Sequence, residues 1–237
     1  MNTTADATRA IDPSLATLLF LGVVLGSLLL AAGAAIAALT GRVHAAARLA
    51  LAVLGIAVVY GLTVVLVARA HPGGVLARGE PLTFTGFYVD PHLRIAVAGA
   101  RLAHELGAPG ARVMARGRWA IVTVELSSTA VDAVQRPNTV ELVLTDDLGR
   151  CWTRDLAGEA ALAAERGPLG DLGRPIAPHD SYRRDVVFDL PVGTHAPRLL
   201  AFEGLWIDHA LEAWIVGDDD AIGHRRTALA LGFDVVD

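Results

Sequence analysis

The chain lacks the cysteines that a disulfide-bonded fold or a metal site with sulfur ligands would need. Its 237 residues include one cysteine, Cys151. A single cysteine excludes an intramolecular disulfide framework and a multi-cysteine zinc site, and its position argues against a lipid-anchored start. Because Cys151 lies in an apolar and aromatic strand pattern, we expect it to be a packed core residue and not a nucleophile.

Lysine and the common catalytic motifs are missing as well. All 20 basic residues are arginine, the net charge is −5, and no basic stripe is present. This composition predicts no nucleic-acid partner. The chain has no nucleophile elbow, no phosphate-binding glycine loop, no His-Glu-x-x-His motif and no dinucleotide fingerprint, so no cofactor is predicted.

Charge is absent from two long stretches, Leu15–Leu39 and Leu49–Ala68. A helix of roughly 20 residues covers a hydrocarbon core of about 30 Å, so each stretch is long enough to cross a bilayer. A cleaved signal peptide would need a basic start and a shorter apolar run than Leu15–Leu39. We therefore predict a tail over 1–14 and two transmembrane helices over 15–39 and 49–68, within a hairpin region 15–70.

The orientation of this hairpin follows from its arginines. The link Thr40–Arg48 is short and carries Arg42 and Arg48, which favours the link inside the cell and both termini outside. Neither stretch contains an ionisable acid or base that would mark an ion path, so transport is disfavoured. We expect a multi-pass cell-membrane protein, with the lipid bilayer as a partner and the C-terminal domain extracytoplasmic.

A glycine- and proline-rich linker over 71–80 precedes a domain predicted over 81–237. Short runs of alternating apolar residues, bounded by turn residues, predict an all-β domain, a sandwich of two sheets with one short helix over 158–166. The predicted strands are Leu93–Leu102, Trp119–Leu126, Val140–Leu144, Arg150–Arg154, Arg184–Leu190, Arg198–Leu205, Leu211–Val216 and Arg225–Leu231. The turn Asp146–Gly149 predicts a hairpin.

Three segments carry a resemblance: GRWAIVTVELSSTA, TVELVLTDDLGRCW and PIAPHDSYRRDVVFDLPVG. Their strands, the Asp-x-x-Gly turn at Asp146–Gly149 and the Phe-x-x-Pro end at Phe188–Pro191 resemble a bacterial membrane-anchored, immunoglobulin-like family of unknown function, over roughly 118–200. The family often has Asn where this chain has Ser127 and Ser128. The resemblance implies an immunoglobulin-like fold outside the cytoplasm and implies no reaction.

Two segments near strand ends pair acids with histidine. Asp218, Asp219 and Asp220, with His224 nearby, are weak candidates for metal ligands, because consecutive acids cannot all point at one ion and a solvated turn explains them more simply. Asp90 and His92 flank Pro91 in a similar way. No residue is assigned as catalytic or cofactor-binding.

These features lead to three functional hypotheses. The first is a membrane-anchored binding module that presents loops or a sheet edge to an envelope protein or polymer. The alternatives are an envelope enzyme or metal-binding domain that uses the Asp90/His92 and Asp218/His224 segments, and an accessory subunit of a membrane complex. Trp206 and Trp214 are natural contact residues if they are exposed.

Overall fold

A computed structural model of the chain describes residues 13–70, 73–84, 92–137, 139–218, 221–224 and 226–233. The chain divides into two compact units. The helical unit comprises Met1–Pro72 and Trp206–Arg225, and the β unit comprises Gly73–Leu205 and Arg226–Asp237. The segment 206–225 therefore leaves the β unit and groups with the N-terminal helices.

The helical unit begins with two long apolar helices, α1 (Pro13–Leu39) and α2 (Val43–Ala70). Pro13 suits a first helical turn, where no backbone N–H is needed. The helices are antiparallel neighbours: Gly33 approaches Leu49, and the rings of Phe20 and Tyr60 are 6.5 Å apart. Both helices are long and apolar enough to cross a membrane, as predicted, and most of their large apolar side chains are exposed.

Nine strands and one further helix form the β unit in the described part of the chain. The strands are β1 (Val75–Leu76), β2 (Leu82–Thr83), β3 (Leu93–Leu106), β4 (Val113–Ser128), β5 (Val140–Thr145), β6 (Cys151–Thr153), β7 (Ser181–Leu190), β8 (Arg198–Glu203) and β9 (Ala228–Ala230). Sheet A has the order β1-β9-β8-β5-β6, and sheet B has the order β2-β3-β4-β7.

The two sheets share one apolar core. Alternate residues of β4, Val122, Val124 and Leu126, face this core together with Leu142 and Leu199 of sheet A. The alternation follows from the opposite orientation of successive side chains in a strand. The prediction of a mostly β domain after two apolar helices is confirmed.

The helix α3 (Leu156–Arg166) covers the outer face of sheet B. Its N-cap residue Asp155 accepts a hydrogen bond from Gly158 N at 2.8 Å, which satisfies one free donor of the first turn. Leu162 packs with Trp119 and Val187 in a second apolar cluster. The short helix predicted over 158–166 is thus confirmed, with its start two residues earlier.

An ion-pair network fixes α3 to strand β7. Both Glu159 oxygens accept from Arg154, at 2.7 Å each, and Arg184 Nη2 donates to Glu159 Oε2 at 2.8 Å. Glu159 and Arg184 are largely buried, with side chains 8% and 10% exposed. Burial raises the pKa of Glu159, but the hydrogen bonds and charges of the two arginines outweigh burial and hold this pKa below its usual value.

Three local predictions differ from the structure. The predicted strand Leu211–Val216 is wrong, because α4 (Trp206–Glu212) and a turn occupy this region. Strand β1 lies inside the predicted linker 71–80 and pairs in parallel with β9. The hairpin β3–β4 extends beyond both predicted strands, with shifts of register between Val97 and Gly99 and between Ala103 and Glu105 that interrupt the alternation.

Candidate interaction surface

The turn between β5 and β6 is built around the buried side chain of Asp146. Its Oδ1 accepts from Leu148 N at 3.1 Å and Arg150 N at 2.9 Å, and its Oδ2 accepts from Arg150 Nε at 2.7 Å. Burial raises the pKa of Asp146, but the hydrogen bonds and charge of Arg150 and the Leu148 N–H outweigh burial and lower this pKa. The turn is therefore held rigidly while Leu148 at its tip is 72% exposed.

The turn between β7 and β8 is fixed by a different set of contacts. Thr194 Oγ1 donates to Pro191 O at 2.7 Å, and Gly193 has a φ of 80°, which favours glycine. Val192 is 67% exposed at the tip of this turn. As in the first turn, the backbone is constrained by internal hydrogen bonds and an apolar side chain points to solvent.

The start of strand β4 is clamped against the β7–β8 turn. Asp189 accepts hydrogen bonds from Arg116 Nε at 2.8 Å and from Gly117 N at 3.3 Å. A Cβ on Gly117 would lie 2.3 Å from Leu190 O and 2.9 Å from Val192 N, so only glycine permits this close approach. The β3–β4 hairpin and the β7–β8 turn thus form one rigid edge.

Strand registers bring both turns to the same end of the β unit. Thr145, the last residue of β5, pairs with both Cys151 of β6 and Arg198 at the start of β8. The β7–β8 turn leads directly into that start. We call the turns 146–150 and 191–197, together with the adjoining hairpin 104–117, the distal tip.

The chain enters and leaves the β unit at the other end of sheet A. Strand β1 begins just after residue 72, β8 ends just before residue 206, and β9 begins just after residue 225. Their pairing, Val75 with Ala228 and Leu199 with Leu229, places all three connections beyond the same strand ends. The distal tip therefore lies at the end of sheet A that carries none of the connections to the helical unit.

The acid and histidine pairs predicted as weak metal candidates do not form a metal cluster in the described part of the chain. Asp219 and Asp220 lie outside the described residues. Asp218 takes part in a tight turn in which Ala221 N donates to its carbonyl at 3.1 Å, and His224 N donates to Ala221 O at 2.9 Å. Among the described residues, no group of three or more His, Cys, Asp or Glu is placed to hold a metal ion.

The second predicted pair is also only partly described, because Asp90 lies outside the described residues. His92 Nδ1 lies 3.3 Å from Thr129 Oγ1, a contact between the residue just before β3 and the loop after β4. His92 belongs to the β unit, whereas Asp218 and His224 belong to the helical unit. The proposed four-residue constellation stays a prediction.

The expected burial of Cys151 is wrong, because the residue is exposed. Strand β6 is the edge strand of sheet A and pairs only through Val143, Leu144 and Thr145 of β5 among the described residues. Cys151 and Thr153 lie on the exposed face of this short strand, with the half-buried Trp152 on its other face, and a single-sequence pattern does not reveal which face is covered. The distal tip was missed for a related reason, since it depends on which strands are neighbours.

Comparison with known proteins gives few matches. No family model matches the chain, and no curated protein matches it. Among solved structures, the chain is similar to a conserved hypothetical protein from Bacillus anthracis, with 10% identity, 51% of this chain and 92% of that chain covered, and a TM-score of 0.38. It is also similar to an uncharacterised β-sandwich protein from Clostridium difficile 630, with 9% identity, 67% and 94% covered, and a TM-score of 0.36.

Proposed function

We propose that this protein is a membrane-anchored, extracytoplasmic β-sandwich of immunoglobulin-like type that binds a protein partner of the cell envelope through its distal tip. Two helices with long uncharged stretches supply the anchor, and the arginines of their short link favour a cytoplasmic link and an outer β unit. The observation that carries the binding role is the pair of exposed apolar residues, Leu148 and Val192, on two rigid turns.

Rigid presentation matters because binding then costs little conformational entropy. Ordering a flexible loop on association would consume part of the interaction free energy, whereas the Asp146 and Thr194 hydrogen bonds already fix these turns. An isolated apolar side chain on a surface needs no explanation. Two of them at one end of the unit, with the exposed Met114 in the hairpin of the same tip, provide the apolar centre that interfaces generally contain.

The exposed thiol of Cys151 tests the orientation without any new cysteine. In intact cells, a membrane-impermeant maleimide should label Cys151 before lysis, and Cys151→Ser should abolish the signal. Labelling only after the cells are opened would place the β unit inside and overturn the extracytoplasmic part of the proposal.

The distal tip itself is tested with a photo-crosslinking residue placed at position 148 or 192 in intact cells. Position 131 is the matched control, because Val131 is also highly exposed but lies in the loop after β4, at the other end of that strand from the tip. We expect a discrete protein adduct at 148 and 192, lost when the other tip residue is changed to Asp, and no such adduct at 131. Equal adducts at all three positions, or none at the tip, would contradict a binding role for the tip.

A further inference from the structure

The segment 206–225 has an unusual distribution of apolar and acidic side chains. Ile207, Leu211 and Trp214 follow the i, i+4, i+7 spacing of one helix face, and all three are exposed, Trp214 by 50%. Asp208 and Glu212, four residues apart on a different face, are buried, Glu212 to 1% exposure. This is the reverse of the arrangement found on a water-facing helix.

The segment contacts the second apolar helix directly. Val216 and Ala221 form an apolar cluster with Val64 and Ala68 of α2, with Tyr60 packed against it. Tyr60 Oη donates a hydrogen bond to Trp214 O at 2.9 Å. The segment is thus attached to α2 by both apolar packing and a hydrogen bond that joins residues 154 positions apart.

The level of this contact along α2 follows from helix geometry. Tyr60 lies eight residues before Ala68, the end of the uncharged stretch, which corresponds to about 12 Å at 1.5 Å per residue. The segment therefore lies beside the last part of a stretch that is itself about 30 Å long. At that depth a tyrosine hydroxyl and a free carbonyl both need a partner, and the hydrogen bond between Tyr60 and Trp214 satisfies both.

We infer that the described part of the segment 206–225 is a membrane-embedded element, whose stripe of Ile207, Leu211 and Trp214 enters the lipid leaflet beside α2. This inference rests on the proposed membrane anchoring. The occupant of the stripe is lipid because the segment packs on α2 at Tyr60, Val64 and Ala68, inside the uncharged stretch that lipid would surround.

The buried acids fit this inference. An acid that faced the acyl chains would be costly to insert, whereas an acid turned into the protein is shielded from lipid. His209 Nδ1 lies 3.5 Å from Glu212 Oε2 on the protein-facing side. Helix α4 therefore offers its apolar side to lipid and keeps Asp208 and Glu212 in contact with protein.

The test measures lipid contact at Leu211 in the full-length protein, reconstituted into phosphatidylcholine and phosphatidylglycerol vesicles. In a Cys151→Ser background, an NBD fluorophore is attached after Leu211→Cys, Leu66→Cys or Leu148→Cys, all at exposed positions. Quenching is compared between lipids brominated near the headgroup and lipids brominated near the chain end. Ile222→Cys, also exposed, provides a second reporter in the same segment.

We expect quenching at 211 and 222 comparable to that at 66, stronger with bromine near the headgroup, and no quenching at 148. Quenching at 66 with a water-like, unquenched signal at 211 and 222 would overturn the inference and leave the anchoring intact. A blue-shifted but unquenched signal at 211 would show that a protein covers the stripe, which also overturns it. No quenching at 66 would overturn the anchoring and this inference together.

Discussion

The buried network around Glu159 predicts a large and specific loss of stability in Glu159→Gln. The wild-type carboxylate accepts from Arg154 through both oxygens and from Arg184 through one. The amide keeps the shape and one acceptor oxygen but removes the negative charge. Two guanidinium groups then remain close together, and that of Arg184 is largely buried.

Removing one member of a buried ion pair costs about 3 to 5 kcal/mol, because the remaining charge stays desolvated. Glutamine retains one acceptor, so we expect the lower end, about 3 kcal/mol. For a domain of this size, 1 kcal/mol lowers Tm by roughly 2 to 4 °C, and the expected loss is therefore about 6 to 12 °C.

The matched control is Glu125→Gln. Glu125 pairs with Arg183 directly across strands β4 and β7, at 2.6 Å, but both side chains are more exposed than the Glu159 pair. An exposed pair contributes about 0.2 to 1 kcal/mol, so this variant should lose at most about 4 °C. Thermal unfolding of the full-length protein in mild detergent, followed by near-UV circular dichroism, measures both.

Equal Tm losses in the two variants would refute the argument that burial decides the effect. A small loss in Glu159→Gln would show that water reaches the two arginines and replaces the carboxylate. Loss of the α3 contact with sheet B should also change the near-UV signal of Trp119, which packs under that helix. That spectroscopic change separates a local loss of α3 docking from general destabilisation.

Two further predictions concern packing and pH. Gly158→Ala should destabilise the β unit by about 1 to 3 kcal/mol in the same assay, because the new Cβ would lie 2.7 Å from Val187 Cγ1. The control Gly99→Ala should be close to neutral, because the nearest contact of its new Cβ would be 3.7 Å away. A similar loss of stability in both variants would refute the packing argument. Asp146 has a lowered pKa in the folded state, so its stabilising contribution is present above its unfolded pKa of about 3.9 and is lost as the pH falls toward the folded value. The Tm difference between wild type and Asp146→Asn should therefore be full near neutral pH and shrink below about pH 4, and a difference that grows in acid would contradict the sign.

The sequence predicts the parts of this fold that depend on local composition. Missing charge is sufficient to identify both apolar helices, because lipid or a core must surround such a stretch. Alternation identifies most strands because one face of each sheet is buried. The turn at Asp146–Gly149 is equally local, since its hydrogen bonds join residues within four positions.

The remaining parts depend on contacts between residues far apart in the chain. The distal tip exists because Gly117 approaches Leu190, and strand pairing, not local sequence, determines that approach. The exposure of Cys151 depends on which face of β6 the rest of the β unit covers. Such features follow from topology, which one sequence with low-specificity turn motifs does not determine.

The incorrect strand Leu211–Val216 shows how a short apolar run can mislead a prediction from one sequence, because such a run can fit either a strand or a helix. The prediction treats Leu211–Val216 as one of the short apolar runs bounded by turn residues. The alternative period, with Ile207, Leu211 and Trp214 on one face and Asp208 and Glu212 on another, is equally present in the sequence. That period predicts an amphipathic turn of helix, whereas its position beside α2 depends on a contact between residues 154 positions apart, which the local sequence does not contain.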